Sequence, residues 1–297
     1  MQTCLRIAIG IATAGRREML TEALRELSRQ TRPPDIVFVC PAAKGDYDDT
    51  QTAELPFPVS AVRSSRGLPT QRNAILDAAR DYTVLVFFDD DFFGSPSYLA
   101  ELERCFSTHP EVVAMSGHVI VDGITGPGLD VKSARAALAS FEPPSGDRRL
   151  TKLHNAYGCN MAVRLSAVYS HGLRFDENLP LYGWLEDVDF SRQLAPYGQI
   201  VRNERMIGVH LGNKGGRTSG VRTGYSQIAN PLYLWRKGTF RFDRALLQMT
   251  RNILANFGNL VRPEPWVDRR GRALGNALGF LDLVRGRLHP KGILDLS

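Results

Sequence analysis

The chain has 297 residues, 43% hydrophobic and 23% charged, a composition that supplies a sizeable core and excludes a disordered or fibrous protein. The formal net charge is +6, but residues 236–297 hold 12 Lys+Arg against 5 Asp+Glu, so this last fifth nets +7 and the remainder −1. No basic–aromatic motif accompanies the basic tail, and nucleic acid is not an expected partner. No run of 18 apolar residues and no basic-then-apolar leader occurs, so neither a membrane span nor a signal peptide is expected. Cys4, Cys40, Cys105 and Cys159 form no CxxC pair and read as reduced thiols of a cytoplasmic protein.

In chain order, Leu5–Thr13 reads as a strand. Leu20, Ala23, Leu24 and Leu27 give the following helix one apolar face, and Ile36–Cys40 is a second strand. This strand–helix–strand unit is a parallel crossover. Residues 41–58 read as a polar loop, Val59–Arg63 as a short strand, and Pro69 as the start of a helix with Ile75, Leu76 and Ala79 inward. Val84–Phe88 is uniformly apolar, the pattern of a strand covered on both faces. Ser95-Pro96 reads as an N-cap and first helical residue, and a strand follows from Val112 to His118. Residues 122–147 are rich in Gly, Pro and Ser, with a short helix around Lys132–Ser140. Asp187–Leu194 reads as a helix and Met206–Leu211 as a late strand. The alternation predicts an α/β fold: a mostly parallel central sheet with helices on both faces, in a catalytic domain over 1–225, with a basic amphipathic helical extension over 226–297.

The stretch with chemistry begins at the central strand. Asp89, Asp90 and Asp91 follow Phe88 directly, and adjacent carboxylates repel unless something offsets their charge. Mg²⁺ or Mn²⁺ does so, using a few carboxylates plus phosphate oxygens; the plainer alternative is an acidic turn in water. Glu186 and Asp187 open a helix, where its dipole alone would account for them, or where one acts as a base beside a helper carboxylate. Trp184 offers either a flat face for a sugar ring or a core side chain. His210 ends the late strand, as a packed residue or as a further metal ligand. Gly212–Gly224 carries five glycines with Lys214, Arg217 and Arg222, and reads as a mobile basic loop that folds over a diphosphate, or as a linker.

Taken together, Gly67-Leu-Pro-Thr-Gln-Arg-Asn73, Phe87-Phe-Asp-Asp-Asp91, Gly158-Cys-Asn-Met-Ala162, Gly172-Leu-Arg-Phe-Asp-Glu177, Gly183-Trp-Leu-Glu-Asp-Val-Asp-Phe-Ser-Arg192 and Val209-His210 resemble the family 2 glycosyltransferases of the GT-A fold over about residues 7–211. The resemblance implies a DXD motif in which Asp91 binds Mn²⁺ or Mg²⁺ and Asp89 or Asp90 contacts the donor's ribose. It implies an ED motif with Asp187 as catalytic base beside Glu186, His210 completing the metal site, and Thr13, Arg72 and Asn73 lining the nucleotide pocket. Lys214 and Arg217 would stabilise the leaving diphosphate, and Trp184 would face the acceptor. The acidic turn that usually follows the second strand is replaced by Cys40-Pro-Ala-Ala43, leaving Asp46, Asp48 and Asp49 to take its part. The expected activity is inverting transfer from a nucleotide-sugar, UDP-linked by default, to a glycan or lipid-linked acceptor in bacterial polysaccharide or envelope synthesis. A nucleotidyltransferase on a related fold and a non-catalytic sugar-nucleotide-binding subunit are the alternatives.

In the tail, Leu246, Met249, Ile253, Phe257 and Leu260, then Leu274, Leu278, Leu281 and Leu288, recur at helical spacing among arginines. Such helices lie on an anionic membrane surface, or pack against the catalytic domain or a second subunit in a homo-oligomer.

Overall fold

A computed structural model describes residues 5–52, 54–142, 150–215 and 218–296. Cys4 and Arg217 lie outside the described residues. The strands are β1 (Ile7–Thr13), β2 (Ile36–Pro41), β3 (Val59–Ala61), β4 (Val84–Asp89), β5 (Phe92–Gly94), β6 (Val112–Asp122), β7 (Leu150–Lys152), β8 (Asn160–Arg164) and β9 (Gln199–His210). The helices are α1 (Arg17–Leu27), α2 (Leu68–Ala78), α3 (Tyr98–Thr108), α4 (Val131–Ser140), α5 (Leu165–Ser170), α6 (Glu186–Leu194), α7 (Gly220–Lys237), α8 (Phe242–Gly258) and α9 (Arg269–Val284).

The sheet runs β3-β2-β1-β4-β8-β6-β9-β5, with β7 beside β9. The first four strands are parallel, as their helical crossovers require. Beyond β4 the sheet is mixed: β8 is antiparallel to both β4 and β6, and β6 and β9 are parallel. β4 is therefore the central strand that its sequence implied. Its side chains alternate between faces. Val84, Val86 and Phe88 join Ile7, Ile9 and Ile11 under α1 and α3. Leu85 and Phe87 face α2, α5 and α6. Burying each such side chain contributes about 1.5–3 kcal/mol, so both layers are needed to offset chain entropy. Gly10 lets α2 close on the sheet, because a Cβ there would stand 2.5 Å from Ile75 Cγ2.

Two local expectations shift. Helix α3 begins at Tyr98, two residues after the Ser95-Pro96 pair, with Ser97 at the N-cap. The stretch expected to be a mobile glycine loop ends at Ser219, since Gly220, Arg222 and Gly224 are inside α7. The glycines there serve helix packing. A Cβ on Gly224 would sit 2.0 Å from the Arg272 carbonyl oxygen, and one on Gly275 would sit 2.0 Å from that of Val221. Small residues thus let α7 and α9 touch backbone to backbone.

Helix α7 is the spine of the C-terminal region, and the 225/226 position lies within it. Its Asn230 Nδ2 donates to the Trp184 carbonyl at 2.7 Å, and Lys237 Nζ donates to Asp176 and to the fully buried Asp189, each at 2.7 Å. Helices α8 and α9 pack on it. Gln227, Asn256 and Asn276, one from each helix, meet in a buried amide cluster.

Candidate active site

The site forms where β1 and β4 end. Gln71 on α2 donates to the Thr13 and Cys40 carbonyls at 3.2 and 2.6 Å, fixing the ends of β1 and β2. Thr13 Oγ1 donates to Asp90 Oδ2 at 2.6 Å, and Arg16 Nη1 donates to Asp90 Oδ1 at 2.9 Å. Both Asp90 oxygens are therefore occupied by protein groups. Burial pushes Asp90 up to about 6, Asp91 adds to the rise, and Arg16 opposes it. Asp89 is half-exposed at the cleft.

Strand register brings His210 to the acids. β5 turns back antiparallel to β9, pairing Phe92 with His210, and the Leu211 N–H donates to the Asp91 carbonyl at 2.9 Å. On the other side of β9, the β6 register pairs Asp122 with His210. Asp122 Oδ1 lies 2.9 Å from His210 Nδ1, while Tyr157 Oη donates to Asp122 Oδ2 at 2.9 Å. With Nδ1 held by a carboxylate, Nε2 faces inward, 3.4 Å from Asp91 Oδ1 and 3.8 Å from Asp89 Oδ2. Burial disfavours the imidazolium, but the bonds to Asp122 and Asp91 and the charges of Asp91 and Asp89 outweigh it and raise His210 to about 10. Although burial works the other way, His210, Arg16 and the Asn213 N–H hold Asp91 below its ordinary value.

These residues fit a divalent cation. Ligand atoms of Asp89, Asp91 and His210 lie within 4.8 Å of one another. Asp91 Oδ1 is buried, with no hydrogen-bonding partner beyond the long contact to His210 Nε2 at 3.4 Å, a costly state for a carboxylate oxygen unless an ion takes it up. Two carboxylates and an imidazole, with a second carboxylate orienting that imidazole, suit Mn²⁺ or Mg²⁺. Asp89, one of the two acids expected to contact ribose, is thus grouped with the other two.

Arg72 connects this trio to α6. Its buried guanidinium donates to Glu186 Oε1, to the Gly158 carbonyl at 2.8 Å and to Asp89 Oδ1 at 3.3 Å. Asp187 Oδ2 accepts from the Gly158 N–H at 3.0 Å and Oδ1 from the Val188 N–H at 2.8 Å. Gly158 passes close to the two acids, and a side chain there would be a tight fit, since a Cβ would lie 3.3 Å from both Asp187 Cβ and Glu186 Oε1. Burial raises both carboxyls above the ordinary range, and Arg72 opposes the rise. The turn into α6 is held in an uncommon conformation: Leu181 and Leu185 have φ of 59° and 74°. Left-handed non-glycine residues cost on the order of 1 kcal/mol each and persist where their surroundings fix them. Here the Leu68 N–H bonds the Leu181 carbonyl at 2.7 Å, and α7 grips Trp184 through Asn230.

Several expected donor contacts point inward. Asn73 is buried, its amide exchanging bonds with the Phe175 backbone and reaching Glu177 at 2.8 Å. Lys214 Nζ donates to the Gly123 and Ile124 carbonyls at 2.9 and 3.0 Å. Trp184 is half-buried, two residues before α6 begins. Arg16, not among the expected donor contacts, binds Asp90 and also donates to the Gly215 carbonyl at 2.8 Å, tying the start of α1 to the 212–219 loop. Asp122 was not among the expected site residues either, since its partner was legible only from strand register. Asp46 spends its oxygens on the Gly15 and Ala43 N–H groups at 2.9 Å, shaping the loop after β2.

The chain belongs to glycosyl transferase family 2, whose family model matches residues 8–172. No curated protein matches it in sequence. Among solved structures it is similar in fold to S. aureus TarS 1-349 in complex with UDP-GlcNAc, with a TM-score of 0.59 and 13% identity over 96% of this chain and 83% of that one. The mannosyltransferase PcManGT from Pyrobaculum calidifontis, in complex with GDP-Man and Mn²⁺, matches at a TM-score of 0.52 and 14% identity over 98% and 85%. GalNAc-T7 with UDP, GalNAc and Mn²⁺ matches at 0.56 and 13% over 95% and 55%. The chain spans 53% of the longer TarS structure. At these identities the likeness shows the GT-A fold, with its mixed sheet between two helical layers.

Proposed function

We propose that the chain transfers a sugar, with inversion, from a nucleoside-diphosphate donor to the hydroxyl of a glycan or lipid-linked acceptor, in bacterial polysaccharide or envelope synthesis. The observation that carries this reading is Arg72. One buried guanidinium bonds both Glu186, beside the proposed base, and Asp89, in the metal-compatible trio, so both sites belong to one cleft. Family membership sets aside the nucleotidyltransferase alternative.

Asp187 is the proposed general base. Two backbone N–H groups fix its carboxylate, leaving lone pairs free to take the acceptor's proton. As that proton moves to Asp187, the acceptor oxygen bonds to the anomeric carbon and the carbon–oxygen bond to the diphosphate breaks. The nucleoside diphosphate leaves with the electron pair, and no covalent enzyme intermediate is needed. Asp89, Asp91 and His210 would hold Mn²⁺ or Mg²⁺, which when bound supplies a Lewis acid for the negative charge on the diphosphate. Arg16, 3.7 Å from Asp91, is a second cation on the donor side. Arg72 and Asn73 act as positioning residues in this reading, because their polar atoms are committed to protein groups. UDP is the default nucleotide, as in the TarS complex; the GDP-Man complex of PcManGT keeps guanosine donors in the test.

The test is a panel of UDP-, GDP- and dTDP-sugars with Mn²⁺, scored by thermal stabilisation and by release of the nucleoside diphosphate. At a hundredfold excess over Kd a true donor adds about 2.7 kcal/mol to stability, and its release of nucleotide rises with acceptor. Stabilisation by a sugar nucleotide with no release under any acceptor condition would instead mark a binding subunit.

A further inference from the structure

Helices α8 and α9 are apolar on two sides. On α8, Ala245, Met249 and Asn256 turn inward, and Met249 and Ile253 pack with Ile228 and Leu232 of α7. On the opposite side Leu246, Leu247, Leu254 and Phe257 are 48–67% exposed. On α9, Leu274, Leu281 and Val284 are exposed in the same manner, while Ala273, Asn276 and Gly279 are buried. The Gln227–Asn256–Asn276 amide cluster fixes the rotation of both helices, so the outward stripes are a set feature of the bundle. The asymmetry is large. Of the 16 exposed large hydrophobics among the described residues, 13 lie between Trp235 and Leu294, although that segment is about a fifth of the chain. Patches of this kind mark a surface made to be covered.

We propose that this face docks on an anionic lipid bilayer. Charge selects the occupant. Arg244 and Arg251 run along the edge of the α8 stripe at helical spacing, both exposed, and the segment from residue 236 nets +7. A second copy of the same face would bring these like charges together, whereas anionic headgroups complement them, each cation contributing about 1 kcal/mol near the surface. Arginine stems lie along apolar surface while their heads reach the headgroups. Among the described residues no helix is long and apolar enough to cross a membrane, so the helices lie on the bilayer. Docking does not depend on the proposed activity. Its use does: α8 is held by α7, which grips the turn and helix carrying Asp187, so a docked chain presents its cleft to lipid-attached acceptors at a fixed distance.

The experiment is co-sedimentation of the full chain with vesicles of phosphatidylcholine alone and of equimolar phosphatidylcholine and phosphatidylglycerol, at low and high salt, with light scattering of the free protein. The double variant Leu247→Glu/Leu254→Glu removes apolar contact from the exposed face, and Arg244→Gln/Arg251→Gln removes the border charge. Melting curves matching the parent verify folding of both. The parent should sediment with the anionic vesicles and lose this in high salt. The leucine variant should bind more weakly, on the order of tenfold for each leucine lost, and the arginine variant should lose its preference for anionic lipid. Nucleotide release with a water-soluble acceptor should be unchanged in both, which separates failure of docking from failure of the enzymatic reading. No binding by the parent at low salt, equal binding by the leucine variant, or a dimer that this variant converts to monomer would overturn the proposal.

Discussion

Replacing Arg72 by Met keeps most of the side chain's volume and removes the charge that joins the two acidic groups. The Arg72 side chain is 2% exposed and Glu186 is 8% exposed, so solvent screens little of the pair. Breaking a buried pair costs about 3–5 kcal/mol while the remaining charge stays ionised. Glu186 relieves part of this by taking up a proton. Its carboxyl in the folded chain already lies above the unfolded value because it is buried, and losing Arg72 raises it further. Stability held by a raised carboxyl is present below the unfolded pKa and is lost as pH rises through the folded one. The deficit should therefore be small in acid and open with rising pH, reaching a melting-temperature drop of roughly 6–20 °C at 2–4 °C per kcal/mol. Kinetics should move in step. As the proposed base, Asp187 must be ionised to act; burial raises its carboxyl and Arg72 opposes the rise. The acid limb of the kcat–pH profile should shift upward by about one pH unit, equivalent to about 1.4 kcal/mol. The assay is nucleotide release across pH, paired with melting curves in the same buffers. A variant with the parent's limb and the parent's stability at every pH would show that Arg72 couples nothing.

Asp122→Asn leaves the hydrogen-bond geometry at His210 but removes the orienting charge, so Mn²⁺ affinity read by electron paramagnetic resonance should fall about 10–100-fold; an unchanged affinity would exclude His210 as a ligand. Asp91→Ala should abolish both Mn²⁺ binding and the donor-induced thermal shift, and chelator should do the same to the parent chain, whereas full activity in chelator would contradict the metal assignment. Gly275→Val places a branched side chain where even a Cβ lies 2.0 Å from the Val221 carbonyl oxygen, so melting should fall by several degrees with α7 and α9 forced apart; an unchanged melting curve would mean that the seam is not close-packed.

The half of the sheet from β3 to β4 was legible because β1, β2 and β4 are continuous apolar runs, with the short Val-Ser-Ala of β3 beside them, and the acids after Phe88 fall where such sheets bind ligands. The α1 face of Leu20, Ala23, Leu24 and Leu27 packs as its spacing implied. What stayed hidden depended on register or on glycine. β6 runs on past the Ser116-Gly-His118 break where the expected strand ended, through Val119-Ile-Val121 to Asp122, so the carboxylate that orients His210 read as loop. Helix α7 carries Gly220, Gly224 and Pro231, residues that disfavour helices in isolation, and its stability comes from packing on α8 and α9 and from the Lys237 bond to Asp189 of α6. In the tail, spacing located both helices but not which side faces out: Met249 and Ile253 pack inward, while Leu247 and Leu254 are exposed. Arg72 and Asn73 lie in the expected motif, yet their hydrogen-bond partners could not be read from it.

In the proposed mechanism Asp187 takes the acceptor's proton in a cleft whose donor side is separate chemistry. The direct measurement is Asp187→Asn, a change that keeps the size of the group but not its basicity, assayed for donor-induced stabilisation with Mn²⁺ and for single-turnover transfer with the donor found in the panel. The donor shift should be unchanged and the transfer rate lowered roughly 10²–10⁴-fold. A folded, donor-binding variant that transfers sugar at the parent's rate would contradict this mechanism, and would leave Glu186 and Asp187 as a feature of the helix start alone.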